Sequence, residues 1–163
     1  MTERAPPANH HLVGVELDER SVVRRSPDIE HEQRVAIFDL LEQNVFSPVG
    51  AHDAQGPFQL VLAIEENRLV FDIRDDGTAP LGKIILALSP FRRIIRDYFE
   101  ICDSYFQAIK RSSPSQIETI DMARRGIHNE GSELLRERLK GKIDTDFDTA
   151  RRLFTLICVL HIR

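Results

Sequence analysis

From Leu153 to Ile162 the chain is apolar on nearly every side, interrupted only by Thr155 and His161. A helix without a polar face must be surrounded, because each large apolar side chain gains roughly 1.5–3 kcal/mol by leaving water. The rest of the chain therefore has to supply a shell. With 163 residues it is long enough for one domain with a substantial core. The segment predicts a central rod of a helical layer, and also a dimer interface where one sheet face and two helices leave it bare.

The shell is legible as two kinds of element. Leu12–Leu17 reads as a first strand with Val13, Val15 and Leu17 on one face. Phe46–Pro57 is broken by Pro and Gly and reads as a loop. Phe58–Ile64, Leu69–Ile73 and Lys83–Leu88 alternate apolar and polar, joined by turns at Glu66-Asn67 and Asp76-Gly77. They predict an antiparallel meander with one buried face, joined by the first strand into a four-stranded antiparallel sheet. Ser-Pro pairs at Ser26-Pro27, Ser89-Pro90 and Ser113-Pro114 mark three helix starts, with Ser at the cap and Pro in the first turn. The first helix should reach about Asn44, turning Ile29, Ala36, Ile37, Leu40 and Leu41 inward, with Val35 and Phe38 widening that face. The second carries a seam of Phe91, Ile95, Tyr98, Cys102, Tyr105 and Ile109 at spacings of four and three. The third begins with a capping box, Ser113 with Gln116, and follows so closely that the two form an αα-hairpin. The expected fold is α+β: a four-stranded antiparallel sheet, one helix after the first strand, and a C-terminal three-helix layer. Residues 1–10, polar and proline-bearing, are expected to be a mobile tail, with 11–163 the single domain.

Reactive chemistry gathers in one place, Asp121–Arg136, DMARRGIHNEGSELLR. Two geometries compete for it. In a continuous helix from Pro114 to about Lys140, Asp121, Arg124, His128 and Ser132 form a column at the edge of the apolar stripe, able to meet Tyr98 or Tyr105 of the preceding helix. Alternatively Gly126 and Gly131 break the helix, and a new start near Asn129–Ser132 offers its amides to an anion. The apolar spacing keeps phase through both glycines, which favours the continuous helix.

The column also has two readings. Structurally, Asp121 pairs with Arg124 or Arg125, His128 hydrogen-bonds a neighbour, and Gly131 admits a second helix. Chemically, Arg124 or Arg125 would hold a small phosphorylated anion, with Asn129 and Ser132 as further anion-binding candidates. His128 would serve as acid–base group or phosphoryl acceptor, oriented by Asp121. The chain has no P-loop, dinucleotide fingerprint, nucleophile elbow or zinc spacing, and no cofactor or metal is expected. His10-His11 is a weak metal signal. Glu30-His31-Glu32 points its side chains apart on a helix, so it reads as a solvated first turn. Asp144, Asp146 and Asp148 lack the glycine and final Glu of a calcium loop and suit the start of the last helix.

Charge limits the partners. A formal charge of −4 makes nucleic acid an unfavoured partner, although 18 Arg against 4 Lys, with four Arg-Arg pairs, keeps RNA as a distant alternative. Cys102 and Cys158 lie in apolar helical patterns and read as buried thiols of a reducing compartment. No apolar run suits a signal core or a bilayer span, so a cytoplasmic protein without a membrane partner is expected.

The runs SPDIEHEQRVAIFDLLEQN, SPFRRIIRDYFEICDSYFQAI and PSQIETIDMARRGIHNEGSELLRERLKGKIDTDFDTARRLFTLICVL resemble a family of short alphaproteobacterial proteins known as an uncharacterised protein family of the UPF series. The resemblance covers nearly the whole chain after the first ten residues. It implies a bacterial cytoplasmic setting and transfers no catalytic residue. The expected function is a non-enzymatic regulatory or protein-interaction module acting as a homodimer. The alternative is a small-anion binding protein or enzyme using Arg124, Arg125 and His128.

Overall fold

A computed structural model describes residues 9–18, 27–49 and 56–161, apart from the side chains of Asp28 and Ile29. The elements are β1 (Leu12–Leu17), α1 (Pro27–Glu42), β2 (Phe46–Pro48), β3 (Phe58–Glu65), β4 (Arg68–Asp75), β5 (Pro80–Ala87), a 3-10 turn (Ser89–Phe91), α2 (Arg92–Arg111), α3 (Pro114–Leu139), β6 (Ile143–Thr145) and α4 (Phe147–His161). The expected Ser26 cap, the inward Ile29 side chain and most of the expected tail lie outside the described residues. Asn9 and His10 are bonded into the fold, His10 Nδ1 lying 2.7 Å from Ser47 Oγ.

The α+β class holds, with the main sheet ordered β1-β3-β4-β5. The meander β3-β4-β5 is antiparallel, and Glu66 and Asn67 take the positive φ that a tight two-residue hairpin requires. One edge corrects the expected antiparallel pattern: β1 runs parallel to β3. Its register slips between Leu12 and Gly14, leaving Val13 as an extra residue that points outward and not into the core. Leu12 before the bulge and Val15 and Leu17 after it therefore do the packing. The segment expected to be a loop begins with β2, which pairs antiparallel with β6. Three-residue strands are too short to show a period in the sequence.

The free edge of β1 is occupied by a side chain. Asn44 Oδ1 accepts from the Leu12 amide at 2.7 Å, and its Nδ2 donates to the Leu12 carbonyl at 3.0 Å and the Leu40 carbonyl at 2.8 Å. The Asn44 amide thus does for Leu12 what a neighbouring strand would do, and ties the end of α1 to the sheet.

The last helix is the central rod. Leu153, Phe154 and Leu156–Leu160 are all buried within one chain, by α1, α3 and β3. Among the described residues, these apolar side chains of α4 are thus already covered within one chain. Val35 and Phe38 are a further correction: both lie outside, Phe38 with 69% of its surface exposed, while Ala36 and Leu40 take the inner face of α1. Ser89 does not cap a helix either; its Ser-Pro pair forms the 3-10 turn that leads into α2.

α3 is continuous across both glycines, and its N-terminus carries the reciprocal capping box of Ser113 and Gln116. The two glycines have different causes. A Cβ on Gly131 would overlap the ring of Phe154, so the bare backbone is what lets α4 approach. Gly126 faces open space. The Gly131→Ala variant is therefore expected to lose about 1–3 kcal/mol through overpacking, whereas Gly126→Ala gains roughly 0.5–1 kcal/mol of helix propensity. Chemical denaturation of the two single variants checks both signs.

Candidate functional site

The continuous helix sets the column as the spacing requires, but its members divide into three separate arrangements. Asp121 holds both arginines: its Oδ1 lies 2.6 Å from Arg124 Nη2 and its Oδ2 lies 2.7 Å from Arg125 Nη2. Arg124 also lies over the Tyr105 ring, 4.0 Å from its centroid, a cation–π contact with the facing helix. Partial burial works against the charge on this guanidinium, and Asp121 outweighs it, so the pKa stands above its ordinary value.

His128 belongs to a different neighbourhood. Its Nε2 lies 2.7 Å from Thr155 Oγ1 on α4, and its ring packs against Tyr98 and Phe154 with centroids 5.2 and 5.3 Å away. Burial first, then Arg151 and Arg124, push the imidazole down to about 4. It is therefore neutral near pH 7 and a weak base. Ser132, fully buried, donates to the His128 carbonyl at 2.7 Å, satisfying its hydroxyl within its own helix. Asn129 is exposed. Glu130 reaches across the hairpin to Arg93 at 3.3 Å, a surface pair worth little.

The structure adds groups that the sequence reading did not bring to this place. Glu32 is not part of a solvated turn: its Oε1 accepts the Tyr98 hydroxyl at 3.0 Å. Burial, with the Glu32 carboxylate second, holds the Tyr98 phenol well above its ordinary pKa. Burial pushes the Cys102 thiol up to about 11, and Cys158, wholly enclosed on α4, is raised for the same reason. Both cysteines are free. Glu32, Tyr98, Cys102, His128, Thr155 and Cys158 therefore meet where four helices converge. Nothing in linear spacing links Glu32 to Tyr98; only the pairing of Tyr98 with the column was legible, through the hairpin.

The chemistry available there is restrained. Thiols held protonated are poor nucleophiles. The imidazole is enclosed by aromatic rings and engaged at Nε2. The two arginines that would grip an anion already share one carboxylate. Among the described residues no three His, Cys, Asp or Glu side chains gather in a way that could hold a metal ion, and no helix is long and apolar enough to cross a membrane.

Fold and column together define a small α+β domain whose column residues pair partly within α3 and partly with α2 and α4. The chain belongs to the uncharacterised protein family UPF0262, whose model matches residues 9–163. It is similar to the UPF0262 protein of Rhodospirillum rubrum, 62% identical over 94% of this chain and 93% of that one. It is also similar to those of Paramagnetospirillum magneticum, 60% identical over 96% and 99% of the two chains, and Sphingopyxis alaskensis, 58% identical over 98% of each. No solved structure matches the chain.

The depressed His128 pKa gives a signed pH dependence. The unfolded imidazole, with its ordinary pKa near 6.5, takes up a proton before the folded one does. Stability is thus full above pH 6.5 and is lost as pH falls from there toward about 4. The contribution is at most about 3 kcal/mol. Replacing His128→Gln is expected to flatten this part of the curve, measured as the change in unfolding free energy between pH 7 and pH 4.5 in both proteins.

Proposed function

We propose that the chain is a non-enzymatic interaction module of the bacterial cytoplasm, acting as a homodimer and presenting the α2–α3 hairpin to a protein partner. One observation carries the reading: the apolar seam of α2 outruns the core. Its early residues Phe91, Ile95 and Tyr98 are buried, but toward the hairpin tip Ile109 is 52% exposed, and Phe106 beside the seam is 42% exposed. In α3 the fully buried residues are confined to the C-terminal part, Gly131 to Leu139. The tip half of the hairpin is thus a two-helix arm packed mainly on itself, with aromatic and aliphatic side chains outside. Large apolar side chains grouped on a rigid element mark a docking surface more than an accident of composition. The two free cysteines suit a reducing compartment.

The anion-binding reading draws less support from this geometry. A phosphoryl-accepting histidine needs a ring nitrogen presented to solvent, and an anion site needs unspent positive charge. His128 is packed between Tyr98 and Phe154, and Asp121 engages both Arg124 and Arg125. The same carboxylate lowers the appeal of this Arg pair for RNA.

A thermal-shift panel of divalent metals, phosphate, nucleotides and phosphorylated metabolites, run beside sedimentation of the 18.7 kDa chain, separates the readings. The expected result is a dimer whose melting temperature is indifferent to the panel. His128→Ala is expected to lose about 1–3 kcal/mol of stability and to remain dimeric. A ligand that stabilises the wild type by ~2.7 kcal/mol at a hundredfold excess over its Kd, and has no effect on the folded variant, would replace this reading with the anion-binding one.

A further inference from the structure

The sheet has two edges, and they are finished differently. Asn44 seals β1. The other edge is β5, which among the described residues pairs only with β4. The register shows which of its groups are unused. The Leu88 amide donates to the Asn67 carbonyl at 3.0 Å, and Leu86, Ile84 and Gly82 follow opposite Leu69, Phe71 and Ile73. In an antiparallel ladder the backbone groups of successive residues point to opposite sides. Leu88, Leu86, Ile84 and Gly82 therefore face β4, and Lys83, Ile85 and Ala87 aim their N–H and C=O groups away from the sheet. The side chain of Ile85 is 49% exposed there.

Resting on the homodimer reading above, we infer that two copies join edge to edge through β5, antiparallel, with Ile85 on the two-fold axis. The strand is self-complementary about that residue. In this register Ile85 faces Ile85 of the second copy, and Lys83 faces Ala87 in both directions. All three outward residues of each strand are paired, giving roughly six inter-chain hydrogen bonds at two per facing pair. No like charges stand opposite each other. Centring on Lys83 would set lysine against lysine, and centring on Ala87 would leave Lys83 beyond the end of the strand. The side chains agree with the backbone. Ala63, Val70 and Ile85 are cross-strand neighbours on the sheet face opposite the core. The two-fold axis continues that apolar row into its own copy, with no polar interruption. A four-stranded sheet becomes an eight-stranded one, within the ordinary range. Both helical layers lie on the same side of it.

Two variants of the full chain test this, read by sedimentation over a range of concentrations. Ile85→Lys puts two ammonium groups face to face on the axis and is expected to weaken the dimer at least ~tenfold, with the melting curve of the monomer retained. Ile85→Cys, made with Cys102→Ser, places two thiols across a hydrogen-bonded pair whose Cα atoms lie ~5.5 Å apart, within disulfide range. Mild oxidation is expected to convert it to a covalent dimer. A wild-type dimer that survives Ile85→Lys unchanged, with no crosslink through Ile85→Cys, overturns the β5 contact and leaves the homodimer reading standing. Crosslinking through Phe106→Cys in its place would move the contact to the arm. A wild type that stays monomeric at every concentration overturns both.

Discussion

The close approach of Phe154 to the backbone of Gly131 is the contact on which the helical layer depends. Its ring occupies the space that a side chain on α3 would take. The same ring touches Tyr98 on α2 and His128 on α3. One aromatic side chain on the central rod therefore fixes the separation of α3 from α4 and the position of the hairpin. Around it α4 loses its apolar perimeter to α1, α3 and β3. The sheet and helices are two halves of one shell around a segment that has no polar face of its own.

Enclosing that segment also sets where a few titratable and apolar side chains fall. Groups that titrate, Tyr98, Cys158 and His128, are drawn toward the helix junction and held in their neutral forms by burial. Apolar groups such as Phe38, Phe106, Ile109 and Ile85 are left outside. Here the polar groups join helices, through Tyr98 with Glu32 and His128 with Thr155, and the surface carries the stickier chemistry.

Local signals in the sequence translated well where one physical rule acted alone. Ser113 and Gln116 formed their reciprocal cap, Glu66-Asn67 turned the hairpin, and the apolar phase through Gly126 and Gly131 kept α3 whole. Where two rules competed, the sequence misled. Val13 fits the alternation of β1, but a bulge moved it to the outer side, while Val15 and Leu17 beyond the bulge kept the expected inner face. Phe38 and Val35 are apolar enough to be core residues, yet the inner face of α1 was already taken by Ala36 and Leu40. The column at Asp121–His128 was placed on the right helix and against the right tyrosines. Its division into an Asp121 fork and a tethered His128 depends on Tyr105, Thr155 and Phe154, which come from other elements. Glu32, 66 residues before Tyr98, could not be read as its partner from spacing at all.

Asn44 also bears on how the sheet can grow. A sheet with two open edges can add neighbours at both and extend into a fibre, each copy templating the next. Beside Leu12 the Asn44 amide already fills the place that a further strand would take. A strand added there would have to displace a side chain held by three hydrogen bonds, and with it loosen the end of α1.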